Sequence, residues 1–340
     1  MNVLVTGSAG FIGGYVVQEL LEKGHKVIGI DNLSKYGDVT RSFDSALNYD
    51  FVNGDVQDVE LMTKLMQDVD HVIAGAALIG GISYFHTYAY DLLAKNERII
   101  ASTCDAAIAT FKAARPLKKV TYLSSSMVFE STDRWPSVEG DERKIAPPLS
   151  SYGFQKLAVE YFARAAWEQY KLPYTIVRPF NCVGIGERRA LGDIEIASGN
   201  VNLAMSHVVP DIIQKILRGQ DPVHILGDGS QVRHYTYGGD LAKGIVLAME
   251  SDKALNDDFN LSTSESTTVI ELVNMIWQKI HGDRELRVKF ENGFRFDVQK
   301  RIPDVKKASR ILGFEAQTSL SVMLDEVIPW IEKALKEDLI

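Results

Sequence analysis

The sequence predicts an α/β protein, a doubly wound parallel sheet with a smaller mixed α/β lobe at the C-terminal end. Three observations carry this reading. Short apolar runs alternate with helix-length stretches through the first half of the chain. A glycine-rich turn joins the first apolar run to the first helix. After about Asn181 the rhythm becomes polar and mixed. Strands that are apolar along their whole length belong to a sheet covered on both faces, which is the parallel arrangement.

Element by element, Asn2-Val-Leu-Val-Thr6 reads as the first strand and Phe11 to Lys23 as a helix ending at Gly24. Strands follow at Val27 to Asp31, Phe51 to Asp55, His71 to Ala74, Val120 to Ser124 and Tyr174 to Arg178. Helices are expected across Asp91 to Ala114 and Tyr152 to Tyr170. Gly, Arg and polar residues dominate 184–202. Then come a helix from Val208 to Leu217, a strand at Val223 to Leu226, and helices at 239–250, 268–281 and 319–337. Residues 1–180 are assigned to the sheet domain and 181–340 to the lobe, with some chain crossing back to the sheet and a cleft between the two. The long polar stretches Gly37 to Tyr49 and Glu130 to Ser150 are expected to be the mobile loops.

Composition narrows the function. Of 340 residues, 37 are Lys or Arg and 45 are Asp or Glu, a formal charge of −8. That balance argues against nucleic acid or an anionic membrane as partner, because both attract basic surfaces. With 46% hydrophobic and 24% charged residues the chain has the makeup of a globular protein. No apolar run approaches the ~18 residues of a membrane span. The start lacks a basic segment followed by an apolar run, so no signal peptide is expected and the cytoplasm is the expected location. Cys104 and Cys182 are the only cysteines, neither a disulfide framework nor a metal cluster.

Thr6-Gly-Ser-Ala-Gly-Phe-Ile-Gly13 links the first strand to the first helix. Gly7 allows a tight turn, Gly10 a close approach of backbone to a pyrophosphate, and Gly13 close packing of helix on strand. The helix start, Phe11 and Ile12 included, offers free N–H groups and a positive dipole end. Asp31 ends the second strand, where its carboxylate can accept from both ribose hydroxyls and repels a 2′-phosphate, so NAD is favoured over NADP. This is the dinucleotide site of a Rossmann fold. Asp55-Val56 reads as an adenine contact, with an aspartate capping the next helix as the alternative.

Tyr152 and Lys156 stand four apart on one helix face. A phenol with a pKa of ~10 is a poor base at neutral pH, and a nearby cation stabilises its phenolate. Ser125 can hydrogen-bond the same substrate hydroxyl. Together the three suit removal of a proton from an alcohol while a hydride leaves for the cofactor.

These motifs, in this order, resemble the extended short-chain dehydrogenase/reductases of the nucleotide-sugar epimerase/dehydratase group. The resemblance runs almost from end to end. It covers the glycine turn, Asp31-Asn32-Leu33-Ser34, Asp55, Ala76-Ala77, Asn96, Ser124-Ser125-Ser126, Tyr152 with Lys156, and Arg178-Pro-Phe180-Asn181. In the second half it covers Ser206-His207-Val208-Val-Pro210, Gly227-Asp-Gly229, Gln231-Val-Arg233 and Arg301-Ile-Pro-Asp304. It implies tightly held NAD, a catalytic set of Ser125, Tyr152 and Lys156, and Phe180 at the nicotinamide. Asn32, Ser34, Ala76, Ala77 and Asn96 join the cofactor site, and Ser126 the substrate site. It further implies a nucleotide-diphosphate sugar held by Asn181, His207, Val208, Arg233 and Arg301, for which the planar guanidinium fork is suited. Relatives commonly dimerise through the helices that correspond here to 91–113 and 152–170, so a homodimer is expected.

The residues after Ser125 bear on the reaction. Dehydratases of the group carry an Asp-Glu pair there, and the GDP-sugar 3,5-epimerases and GDP-fucose synthase a cysteine; this chain has Ser126 and Met127. Ala76-Ala-Leu-Ile-Gly-Gly-Ile82 nevertheless resembles a loop of the GDP-sugar branch, and His207 falls at its acid/base histidine. His207 is therefore a candidate proton donor, with a diphosphate contact or a helix cap as alternatives. The reading that needs no missing group is C4 epimerisation of an NDP-hexose through a transient 4-keto sugar. Dehydration and 3,5-epimerisation are the alternatives, and no metal site is expected.

Overall fold

The computed structural model describes residues 1–79, 88–188, 207–293 and 298–340, and the backbone of 197–198 and 201–202. Gly80, Gly81 and Ile82 of the alanine-glycine loop, Ser206, and most of 189–206 lie outside the described residues.

The first half runs β1 (Asn2–Thr6), α1 (Phe11–Glu22), β2 (Lys26–Asp31), β3 (Tyr49–Asn53), α2 (Val59–Met66), β4 (His71–Ala74), α3 (Ala89–Lys112), β5 (Lys119–Leu123), α4 (Ser151–Tyr170) and β6 (Tyr174–Pro179). Short strands β7 (Cys182–Val183), β8 (Ala197–Ser198) and β9 (Val201–Asn202) follow, then α5 (Val208–Leu217), β10 (Val223–Leu226), β11 (Val232–Arg233) and β12 (Thr236–Tyr237). The chain ends with α6 (Gly238–Glu250), β13 (Asp257–Leu261), β14 (Thr267–Thr268), α7 (Val269–His281), β15 (Val288–Glu291), α8 (Lys306–Leu312) and α9 (Leu320–Lys336). Among the described residues no helix is long and apolar enough to cross a membrane.

Seven strands form one sheet in the order β13-β6-β5-β4-β1-β2-β3, and every neighbouring pair is parallel. Strand order reverses between β1 and β4, and such a switch point opens a crevice at the carboxyl ends of the strands. One face is covered by α1, α6 and α8 through Val16, Leu20, Leu241, Ile245 and Leu312. The other is covered by α2, α3 and α4 through Met62, Ile100, Val159 and Ala163. The lobe has its own core, where α5, α7 and α9 bury Ile213, Ile276, Trp277, Leu324 and Ile331. Local signals place the helix starts. Ser150 caps α4 by accepting from Gly153 N, and Thr268 with Glu271 forms a capping box on α7.

Two features differ from the sequence reading. Asp257–Leu261 is the seventh strand of the sheet, yet its polar residues hide that. Asp258 and Asn260 are buried against the Arg178 guanidinium (2.6 Å) and the Ser137 carbonyl (3.0 Å). The 130–150 segment is anchored rather than loose: Ser137 N–H donates to the Ile302 carbonyl, Trp135 Nε1 donates to Lys300 O, and Glu142 is buried at the Arg178 cluster. On the two helices flanking the site, Leu92, Ile100 and Leu157 are core residues, and Tyr90, Phe154 and Tyr161 are exposed.

Candidate active site

A cleft of about 460 Å³ runs from the glycine turn, past the ends of β4, β5 and β6, into the lobe. At its first end Gly7 has a φ of +75°, and a Cβ there would lie 2.9 Å from Ala76 Cα. A Cβ on Gly13 would lie 2.0 Å from the Gly7 carbonyl oxygen. Only glycine therefore lets the turn lie this close to both neighbours. The N-cap Gly10 has no side chain to bond the first N–H groups of α1, and the first turn carries no acid. The N–H groups of Phe11, Ile12 and Gly13 and the dipole end lie at the cleft, a cradle for a phosphate group.

Beside this cradle, Asp31 accepts from Ala9 N (3.2 Å) and Leu33 N (2.9 Å). Burial pushes its carboxyl upward against those hydrogen bonds. Asn32 donates to Asp55 (3.4 Å) and accepts from Ser34 N (3.1 Å), so the residues after β2 and β3 form one rim. Asp58, not Asp55, caps α2; Asp55 accepts from Gln57 N and lines the cleft with Val56. The capping alternative for Asp55 is thereby set aside. Ala76 N and Gly75 N both donate to Thr6 Oγ1 at 3.0 Å, which holds the turn after β4 against the glycine loop.

Ser125, Tyr152 and Lys156 converge at the ends of β5 and α4. Lys156 Nζ donates to the Leu123 carbonyl at 3.0 Å and stands 6.0 Å from the Tyr152 ring centroid. Ser125 hydrogen-bonds the Tyr152 phenol, and Arg301 is near enough to act on it electrostatically. Burial raises the phenol's pKa, while Ser125 and Arg301 pull it down. Burial lowers Lys156 to about 8. Ser126 and Met127 follow in a 3₁₀ turn that Ser125 caps, both buried and both at the cleft wall.

From the lobe, Arg233 and Arg301 enter the same cleft on adjoining backbone, with Arg301 N–H donating to Val232 O at 3.1 Å. Asn181 (φ +34°) donates to the His234 carbonyl and also lines the cleft, as does Val208. His207 does not cap α5 with its side chain; its Nδ1 pairs instead with Glu187, whose buried carboxylate lines the cleft. Burial raises Glu187, and His207 outweighs this and holds it below the usual range.

Two expected contacts fall outside the cleft lining. Asn96 is buried and clamps the Leu78 backbone, accepting from its N–H (2.7 Å) and donating to its carbonyl (2.9 Å), so it shapes the wall from behind. Phe180 packs with Val128, Phe129 and Leu157 beneath the site. Glu187, Lys35, Tyr36, Asp211 and Lys215 line the cleft without having been anticipated, and Gln231 of the Gln231-Val-Arg233 motif lines it too. Glu160 was also missed: one turn beyond Lys156, it accepts from Ser124 Oγ (2.7 Å) and from Arg178 Nε (2.6 Å), tying the catalytic helix to β5 and β6. The Tyr152/Lys156 spacing, extended by four to Glu160, was the signal that could have found it.

A phosphate cradle followed by a serine, tyrosine and lysine at the strand ends defines a dinucleotide-dependent enzyme acting on an alcohol or ketone. A family model, the NAD dependent epimerase/dehydratase family, matches residues 3–262, and the chain belongs to that family, whose cofactor is NAD. A putative UDP-glucose 4-epimerase from Methanocaldococcus jannaschii is 30% identical over 331 residues, covering 97% of this chain and 98% of that relative. Among solved structures, a UDP-glucose 4-epimerase from Thermotoga maritima, with UDP-glucose, has a TM-score of 0.79 at 29% identity and covers 98% and 100% of the two chains. A UDP-glucuronic acid 4-epimerase from Bacillus cereus, with UDP-glucuronic acid and NAD, has a TM-score of 0.81 at 26% identity and covers 98% and 99%.

Proposed function

We propose that this protein is a nucleotide-sugar epimerase that inverts C4 of an NDP-hexose through a transient 4-keto sugar. One observation carries the reading. A complete Ser125, Tyr152 and Lys156 set shares a cleft with the dinucleotide cradle and with Arg301 and Arg233, while Ser126 and Met127 supply no second acid or base. Bound NAD supplies the hydride acceptor and, on return, the donor. The glycine cradle and Asp31 would hold its pyrophosphate and adenosine ribose. Tyr152 takes the proton of the 4-hydroxyl and later gives it back, Ser125 orients that hydroxyl, and the Lys156 ammonium favours the phenolate. Arg301 and Arg233 anchor the diphosphate, so the sugar can turn its other face to the site without leaving.

A second reading, 3,5-epimerisation or dehydration, is favoured by the Glu187–His207 pair in the cleft, since either reaction needs another proton-transfer group. Residues 1–180 are assigned to the cofactor and 181–340 to the nucleotide sugar, with β13, α6 and α8 returning to the sheet. The enzyme acts in the cytoplasm as a homodimer. Exposed Phe154, Tyr161 and Tyr90 on the paired helices α3 and α4 support that dimer.

The test is incubation of the purified protein with UDP-, GDP-, CDP- and dTDP-sugars, followed by proton NMR of the anomeric and C6 signals. A C4 epimer without accumulating NADH is expected. A 4-keto-6-deoxy product, or solvent exchange at C3 and C5, would favour the second reading. Stoichiometric NADH would make the protein a dehydrogenase.

A further inference from the structure

The contacts along the cleft order its lining from the reaction centre outward. Arg301 acts on the Tyr152 phenol, and its N–H is bonded to Val232, beside Arg233. Gln231 Nε2 donates to the Leu226 carbonyl at 3.0 Å, and Leu226 ends β10. On the same strand, the His224 carbonyl lies 3.5 Å from Lys215 Nζ on α5. A nucleotide sugar with its C4 at Tyr152 and its diphosphate at the two arginines therefore places its base between α5 and β10. This step rests on the nucleotide-sugar reading above.

At that end the wall is mostly apolar, with Val209, Pro210, Ile212, Ile225 and Val269, and one ion pair breaks it. Lys215 Nζ lies 2.6 Å from Asp211 Oδ2; the two are one turn apart on α5, and their side chains are 5% and 6% exposed. An ammonium has three N–H donors. Among the described residues Lys215 has one close acceptor, Asp211, and one at the limit of hydrogen bonding, the His224 carbonyl. A buried cation with donor capacity left over, in a cleft wall, calls for a further oxygen, of water or of a ligand that displaces it.

We propose that Asp211 and Lys215 read the base of the nucleotide sugar. Lys215 donates to a ring keto oxygen, and Asp211 accepts from the ring N–H next to it. This keto/N–H edge is the lactam edge of uracil, thymine and guanine. Cytosine and adenine present an amino group and a bare ring nitrogen at the same places. The amino group would face the ammonium, and the ring nitrogen would face the carboxylate. Rejection then comes from buried groups left unpaired, which is the strong form of discrimination.

The experiment is calorimetric titration of the NAD-loaded protein with UDP, dTDP, GDP, CDP, ADP and N3-methyl-UDP. At least one lactam base is expected to bind roughly tenfold or more tightly than CDP and ADP. Where that base is uracil, N3-methyl-UDP falls to the level of CDP. The double variant Asp211→Asn/Lys215→Met, which leaves no lone buried charge, is expected to bring the lactam and CDP affinities within about threefold while retaining NAD. Binding of CDP and ADP as tight as that of every lactam base overturns the inference, as does a double variant that keeps the preference. A variant that fails to fold leaves the wild-type titrations to decide, because the methylated base removes the N–H without touching the protein. Failure of all six ligands to bind overturns the nucleotide-sugar reading itself, whereas binding without discrimination overturns only the base assignment.

Discussion

Lys156 Nζ donates to the carbonyl of Leu123, the last residue of β5, while standing 6.0 Å from the centroid of the Tyr152 ring one turn back along α4. The strand end thus fixes the ammonium and the helix repeat fixes the phenol, so neither has to search for the other. In the protein alone, burial works against the charged form of both groups, raising the phenol and lowering Lys156 to about 8.

Removing the phenol should abolish proton transfer and little else. Tyr152→Phe is expected to lower kcat by roughly 10²- to 10⁴-fold, with the content of bound NAD unchanged. Turnover assays alongside release of the cofactor by heat would check both. Equal loss of NAD would show that the tyrosine serves binding rather than chemistry.

The buried ammonium is expected to trade stability for activity. The folded value of about 8 lies below the ~10.4 of an unfolded lysine. Its charge therefore costs stability fully below pH 8, and the cost fades as pH rises from 8 toward 10.4. Lys156→Met should stabilise the cofactor-free protein at pH 7 by on the order of 1–3 kcal/mol and shrink that rise, while removing catalysis. Chemical denaturation at pH 7 and pH 9.5 measures it. A variant less stable than the parent at pH 7 would contradict the assignment.

Asp31 shapes the turn through Ala9 N and Leu33 N, and it lines the cleft beside the glycine cradle. Asp31→Ser is expected to weaken NAD binding by about tenfold or more and to narrow the preference for NAD over NADP. Competitive titration of the cofactor-free protein reads the ratio. An unchanged ratio would mean that another group rejects the 2′-phosphate.

Behind the site, the buried Arg178 is hydrogen-bonded to Glu160 (2.6 Å), ion-paired with Asp258 (2.6 Å) and lies 3.2 Å from Glu142. Burial opposes the Arg178 charge, but Glu160 and the other carboxylates hold its proton more firmly than in water. Arg178→Met takes the fully buried cation out of this cluster, leaving Arg164, Arg143 and Lys307 to face three buried carboxylates, and should cost about 3–5 kcal/mol. In the parent, burial raises Asp258, yet Arg178 and Lys307 bring it below the usual range. The stability this gives is present above the unfolded value of ~3.9 and is lost as pH falls through the lower folded value. Thermal melts between pH 7 and pH 3 would check both, and an Arg178→Met protein melting like the parent would refute the network's importance.

The sheet's first half was legible because its strands are apolar runs and its helices carry their own starts. The glycine turn, Asp31, Ser125, Tyr152 and Lys156 were legible because each sits at a fixed step from a strand or helix end. β13 was not, since Asp258 and Asn260 are polar for the sake of partners far away in sequence. Glu187 was hidden for the same reason: its meaning depends on His207, brought to it only by the fold. Asn96 and Phe180 show the reverse case, expected at the cofactor from resemblance but lying behind the cleft wall. The Asp211–Lys215 pair stands at ordinary helix spacing, and only the fold makes it part of a cleft wall.

The most direct measurement is the fate of deuterium carried at C4 of the nucleotide sugar while the enzyme turns over in ordinary water. Epimerisation by Tyr152 and the bound cofactor returns to C4 the hydrogen it removed, so the C4 epimer should retain the deuterium with no solvent hydrogen incorporated there and no NADH released. Loss of the label to solvent, or its appearance on free NADH, would contradict the C4 mechanism.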